Sequence, residues 1–255
     1  MFHSVTINGK NSWVNYHMVP VDGIYLPPPP EQKITTIDLK TGNGVLDTST
    51  LLTGYPIFQN RGDQLRYYIL EPWEIKEITG VDVDYPDANT MYSILLNDLH
   101  ATKGTMIFED DPDYYYEGKF YVSSFDTNTF RRMVVIRYDV KPYKMKTTAT
   151  TYVLNGLGSS TWAYTGALTE SDLGTMPLNP ILTITGTFST NETVTVKIQT
   201  PDESGSYANA GEQIKVINDA GNYRWADFLI YKKAKLCFLG ASDKSVTWTF
   251  NQGRL

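Results

Sequence analysis

The densest group of side chains able to do chemistry lies at Glu109-Asp110-Asp111-Pro112-Asp113-Tyr114-Tyr115-Tyr116-Glu117, five carboxylates beside three phenols. Packed carboxylates can hold calcium or serve as the acid and base of glycoside hydrolysis. A calcium loop of the helix–loop–helix type needs alternating ligands, a central glycine and a closing glutamate, and this segment lacks that order. Pro112 after Asp111 and Gly118 after Glu117 suit a hairpin connection instead. Three adjacent tyrosines set rings on both faces of a strand, one face for burial and one for an interface. The segment therefore reads as structural, with Asp110, Asp113 and Tyr115 as candidate subunit-interface residues.

Other chemistry is sparse. His3, His17 and His100 are far apart and outside any H-E-x-x-H arrangement, and with Cys237 as the single cysteine no zinc site is expected. Cys237 sits in the apolar run Leu236-Cys237-Phe238-Leu239, where a lone cysteine behaves as a small hydrophobe. There is no G-x-S-x-G elbow, and Thr41-Gly42-Asn43-Gly44 lacks the Gly-Lys-Ser/Thr ending of a phosphate-binding loop. The reading is a protein without catalytic residues, metal or cofactor.

The elements that would position these side chains are mostly strands. Tyr, Trp and Phe number 18, 5 and 10 in 255 residues, amid stretches rich in Thr and Val, and such residues fit a pleated, half-buried surface. A net charge of −6 without a basic run argues against nucleic-acid binding, and Lys232, Lys233 and Lys235 read as a solvated turn. No segment approaches a membrane span and the first residues do not resemble a secretory leader, so the chain is expected to be soluble and made in a cytoplasm.

Val5 and Ile7 precede Asn8-Gly9, a strong hairpin signal because both turn residues must accept positive φ; Asn8, Gly9 and Trp13 of this hairpin are further interface candidates. Pro27 to Pro30 favours a stiff extended arm or connector. Strands are expected at 34–39, 65–70, 106–108, 118–125 and 133–138, and a single helical turn at Ser49-Thr50-Leu51-Leu52. One helix is expected near 89–102, capped by Asp87 or Asn89, with Met91, Ile94, Leu95 and Leu99 inward and Gly104 as its stop. After Lys141-Pro142-Tyr143-Lys144 the composition shifts, which sets a domain boundary with domains at 1–145 and 146–255. Beyond it Leu182/Ile184/Phe188, Val194/Val196/Ile198 and Val246/Trp248/Phe250 alternate with polar residues, the mark of an antiparallel sandwich.

Four stretches, taken in order, resemble the distal tail proteins of long, flexible-tailed phages. They are NSWVNYHMVP with LPPPPEQKITTIDL, then GNGVLDTSTLLTGYPIFQNRG, then DDPDYYYEGKFYV with VKPYK, and finally LCFLGASDKSVTWTFNQGRL. The likeness is strongest over residues 11–145.

The resemblance implies a mainly β chain, with an N-terminal ring-forming belt domain carrying one helix and a C-terminal galectin-like antiparallel β-sandwich. It implies a homo-hexamer, as one ring or stacked rings, at the distal end of a virion tail. Its partners would be the tail tube, tape measure and tail-tip proteins, together with receptor-binding or baseplate proteins, and DNA would pass through the channel without specific binding. The alternative is a carbohydrate-binding sandwich recognising host-surface glycans, for which Trp162 and Trp225 are the candidate aromatic platforms.

Overall fold

The structure, a computed structural model, describes residues 3–23, 26–38, 45–49, 56–127, 131–174, 176–202, 204–208 and 210–255. The expected turn at Thr41–Gly44 and the helical turn beyond Ser49 lie outside these residues. The chain divides into two compact units, one reaching Lys144 and the other spanning Met145–Arg254.

In the first unit the strands are β1 (Val5–Ile7), β2 (Lys10–Asn11), β3 (Met18–Pro20), β4 (Thr36–Asp38), β5 (Val45–Asp47), β6 (Arg61–Ile69), β7 (Thr102–Phe108), β8 (Tyr114–Asp126) and β9 (Arg132–Val140). Seven form one antiparallel path in the order β2-β1-β7-β8-β9-β6-β3, while β4 and β5 pair only with each other. Both edge strands come from the continuous segment Lys10–Pro20, so the sheet must curl until that short segment bridges its edges. The bridge is hydrogen-bonded: Ser12 N–H donates to the Val5 carbonyl and Met18 N–H to the Ser12 carbonyl. Alternation sends Tyr116, Phe120 and Val122 of β8 inward with Val134, Ile136 and Tyr138 of β9, and leaves Lys119, Tyr121 and Arg137 outside.

Helices α1 (Pro72–Thr79) and α2 (Ala88–Leu99) follow β6. Asp87 caps α2 by accepting from Thr90 N–H, and Met91, Leu95 and Leu99 enter the core, while Ile94 is exposed. Gly104 is not the stop. The helix ends at Leu99, Ala101 takes the left-handed φ of 58°, and Gly104 lies inside β7. The expectation of one helix also missed α1. Glu71 and Glu74 close a reciprocal capping box around Pro72, and Gly80 ends α1 at φ 72°.

The second unit contains β10 (Lys144–Lys146), which begins at its border, then β11 (Thr150–Asn155), β12 (Gly158–Tyr164), the short α3 (Glu170–Leu173), β13 (Ile181–Thr185), β14 (Val194–Thr200), β15 (Gly211–Ile217), β16 (Gly221–Tyr223), β17 (Lys235–Gly240), β18 (Ser245–Phe250) and β19 (Gly253–Arg254). Two four-stranded sheets, β11-β18-β13-β16 and β12-β17-β14-β15, enclose a core of Leu182, Ile184, Val194, Val196, Ile198, Phe228, Phe238, Val246 and Trp248. The expected alternation is what fills this core; Phe188, beyond β13, is only partly buried. Cys237 is buried, and burial pushes its thiol up to about 11.

Candidate assembly surfaces

The N-terminal hairpin is folded back on its own sheet. Asn8 and Gly9 both take positive φ, 53° and 80°, as a tight two-residue turn requires. The Asn8 side chain accepts from Thr105 N–H at 3.0 Å and donates to Thr102 Oγ1 at 3.3 Å, so it staples β1 to β7. A Cβ built on Gly9 at the tip would meet only open space, nothing but its chain neighbours lying within 4 Å. Trp13, half-buried in the connection to β3, lies 5.5 Å from the His17 ring, which in turn stacks on Tyr85 at 3.9 Å.

The acidic segment divides its carboxylates among separate partners. Glu109 accepts from the backbone N–H and hydroxyl of Ser4 at 2.8 and 3.0 Å. Those two bonds hold its carboxyl below the usual range. Asp110 meets His3 Nδ1 at 2.8 Å. Asp111 meets Lys144 Nζ at 2.6 Å, and that ammonium sits 4.4 Å over the Tyr114 ring. Glu117 lies between Lys141 and Lys103, at 2.7 and 3.7 Å. Among the described residues no three acidic, histidine or cysteine groups converge to hold a metal. Asp113 is exposed at the corner, Tyr115 is half-buried, and Tyr116 is in the core, edge-on to Phe108.

The extended connector expected at Pro27 to Pro30 and the strand expected at 34–39 do not disclose how little covers this part of the chain. Lys33 N–H donates to Ile57 O, Gln59 N–H to Glu31 O and Thr48 N–H to Thr35 O, and β4 pairs with β5, so the described residues between Glu31 and Gln59 form a two-stranded ribbon. Every residue from Glu31 to Asp38 is exposed, including Ile34 at 71% and Ile37 at 53%. A lone ribbon of this kind is marginal in water. Its root is well held. Phe58 packs edge-to-face on Tyr143 at 6.0 Å. The buried Arg61 guanidinium donates to the carbonyls of Pro142 at 2.7 Å and Pro27 at 3.4 Å, and lies over Tyr116. Burial lowers the Arg61 pKa, against the opposing pull of Tyr116 and Tyr138.

In the second unit Trp162 is half-buried with Lys197 Nζ 4.5 Å over its ring, and Lys197 also meets Glu212 at 2.8 Å. Trp225 is stacked on Tyr223 and set edge-on to Phe228, which joins it to the core. The two tryptophans thus occupy separate packing environments, each engaged with its own unit.

No protein-family model matches the chain, and no curated protein does. Among solved structures it matches the crystal structure of SPP1 Dit (gp 19.1), described as a paradigm of the hub adsorption apparatus in phages infecting Gram-positive bacteria. The match covers 98% of this chain and 99% of that one, at a TM-score of 0.54 and 12% identity. The chain has the fold of SPP1 Dit. The likeness noted in four sequence stretches holds at the level of fold. At 12% identity a shared fold does not carry Dit's residues across, so the surfaces above stand on this chain's own geometry.

Proposed function

We propose that the chain is a structural hub of a phage tail, a virion protein without catalytic activity. In this reading six copies close a ring through residues 1–145, between the tail tube on one side and the tail-tip or adsorption apparatus on the other. The domain at 146–255 decorates the ring as a galectin-like sandwich. The observation that carries the proposal is the correspondence to SPP1 Dit over nearly the whole of both chains, which takes in both compact units. The ribbon supports it further: eight consecutive exposed residues on an extended two-stranded element need a neighbour to cover them.

Light scattering after size exclusion, with negative-stain imaging, tests this directly. The expected result is a ring with six times the 28.8 kDa mass of one chain. Ile34→Ser with Ile37→Ser should lower the assembled fraction and leave the unfolding of the dissociated chain unchanged. A chain that stays monomeric at every concentration counts against ring formation. Full assembly of the doubly substituted chain would remove the ribbon from the interface.

A further inference from the structure

Two surfaces of the first unit carry opposite charge beside exposed apolar groups. Residues 71–87, which include α1, hold six carboxylates and a single cation, Lys76. Four of the carboxylates are engaged within the chain. Glu71 and Glu74 form the capping box, Glu74 also meeting Arg131 at 2.8 Å; Asp82 meets Lys76 at 2.6 Å; and Asp87 caps α2. Glu77 and Asp84 are exposed and make no ion pair among the described residues. Around them stand Trp73, Ile78 and Val81, each about half exposed.

The outer face of the curled sheet has the reverse character. Lys103 on β7 lies directly opposite Lys119 on β8, and Tyr121, Arg137 and Gln64 form a row across β8, β9 and β6. Arg66 lies two residues along β6 from Gln64, on the same face. Glu117 relieves Lys103, and Asp139 stands opposite Lys119; Arg66 and Arg137 are exposed and make no ion pair among the described residues, although Asp63 lines a concavity beside each and Asp22 the one beside Arg66. Arg137 pairs with Gln64 and is therefore the diagonal neighbour of Arg66 across β9 and β6, and like charges so placed repel within reach of long side chains, so this face is improved by an acidic occupant.

We infer that the acidic, apolar ridge of α1 docks on the cationic outer face of the β7-β8-β9-β6 sheet of a second copy. The inference rests on the hub reading and names its contact. The two patches differ, so the contact is head-to-tail and generates a closed ring when its rotation allows. Tyr121 and Trp73 supply apolar area, while Glu77 and Asp84 meet Arg66 and Arg137.

Charge reversal tests it. Glu77→Lys with Asp84→Lys makes one variant, and Arg66→Glu with Arg137→Glu makes the other. All four positions are exposed, so both variants should fold, which circular dichroism and thermal unfolding check. Each alone should raise the midpoint concentration for assembly by on the order of tenfold or more, as like charges facing across an interface do. Mixing the two variants should restore assembly, because each ridge then faces a sheet of opposite sign. If the wild-type chain assembles and either reversal leaves the midpoint unchanged, or mixing restores nothing, the contact is refuted while the ring stands. A loss confined to the sheet variant would show that this face meets a different surface of the second copy, and would equally overturn the inference. A wild-type chain that never assembles defeats the hub reading itself.

Discussion

Replacing Gly104 by alanine should be costly only while Asn8 keeps its side chain. A Cβ built on Gly104 falls 1.7 Å from Asn8 Oδ1 and 2.6 Å from its Cγ, so the amide must swing away. It would then lose the bonds to Thr105 N–H and Thr102 Oγ1. Two such bonds are worth about 0.5–1.5 kcal/mol each. Against that, the change from glycine restricts the unfolded chain and returns about 0.4–1 kcal/mol. Gly104→Ala alone should therefore destabilise by about 1 kcal/mol. In an Asn8→Gly background, which the φ of 53° at position 8 tolerates, the obstruction is gone and the same change should be neutral or stabilising. Urea unfolding of the four chains of this cycle should give a coupling of about 1–3 kcal/mol. Additivity within about 0.5 kcal/mol would show that Asn8 does not staple β1 to β7. Gly118, paired with Gly104 across the strands, supplies the contrast. A Cβ there meets the Asp139 carbonyl oxygen at 2.2 Å and Val140 Cα at 2.5 Å. That obstacle is backbone, so Gly118→Ala should cost more than about 3 kcal/mol, with no rescue from position 8.

Two further predictions concern single groups. The indole N–H of Trp248 is buried without a partner among the described residues. Trp248→Phe removes that unpaired donor as well as volume, so it should cost under about 1.5 kcal/mol against about 3–5 for Trp248→Ala; a Trp248→Phe loss well above that bound in urea unfolding would show that the N–H is bonded. Glu109 has its folded pKa depressed by Ser4, so its contribution is present above the unfolded carboxylate value and lost as pH falls through the lower folded value. The protection factor of the Ser4 amide, its exchange rate taken relative to the intrinsic rate at each pH, should fall over that acidic window, and Glu109→Gln should remove the pH dependence of that factor while lowering it at neutral pH.

Legibility followed periodicity. In the second unit, residues of period two face a shared core, and Val194, Val196 and Ile198 could be placed from their spacing alone. Helix α1 was missed because its eight residues span barely two turns and its cap is glutamate rather than Ser, Thr, Asp or Asn. The signals were present nonetheless, with Pro72 at the first position, Glu74 at the third and Gly80 just past the end. Gly104 was assigned as a stop because glycine is the usual left-handed residue. The chain puts Ala101 there and reserves Gly104 for the approach of Asn8, a contact between residues far apart in sequence. The ribbon was half legible: the prolines announced an extended segment, but the absence of cover over Ile34 and Ile37 is a property of the folded chain.

The acidic segment shows why local density of functional groups misleads. Five carboxylates in nine residues invite a reading as a site, yet a hairpin corner throws successive side chains in different directions. What each one meets is decided by strand pairing at a distance. Val5 pairs with Phe108, and that register brings Ser4 to Glu109 and His3 to Asp110. Lys141, just past β9, reaches Glu117, and Lys144 reaches Asp111. The carboxylates fasten the start of the chain and the end of the first unit to one corner of the sheet. Groups so engaged have little left to offer a partner. Assembly is better sought where apolar side chains are exposed and charges stand without counterions, at the ribbon and at α1 with the sheet face of opposite sign.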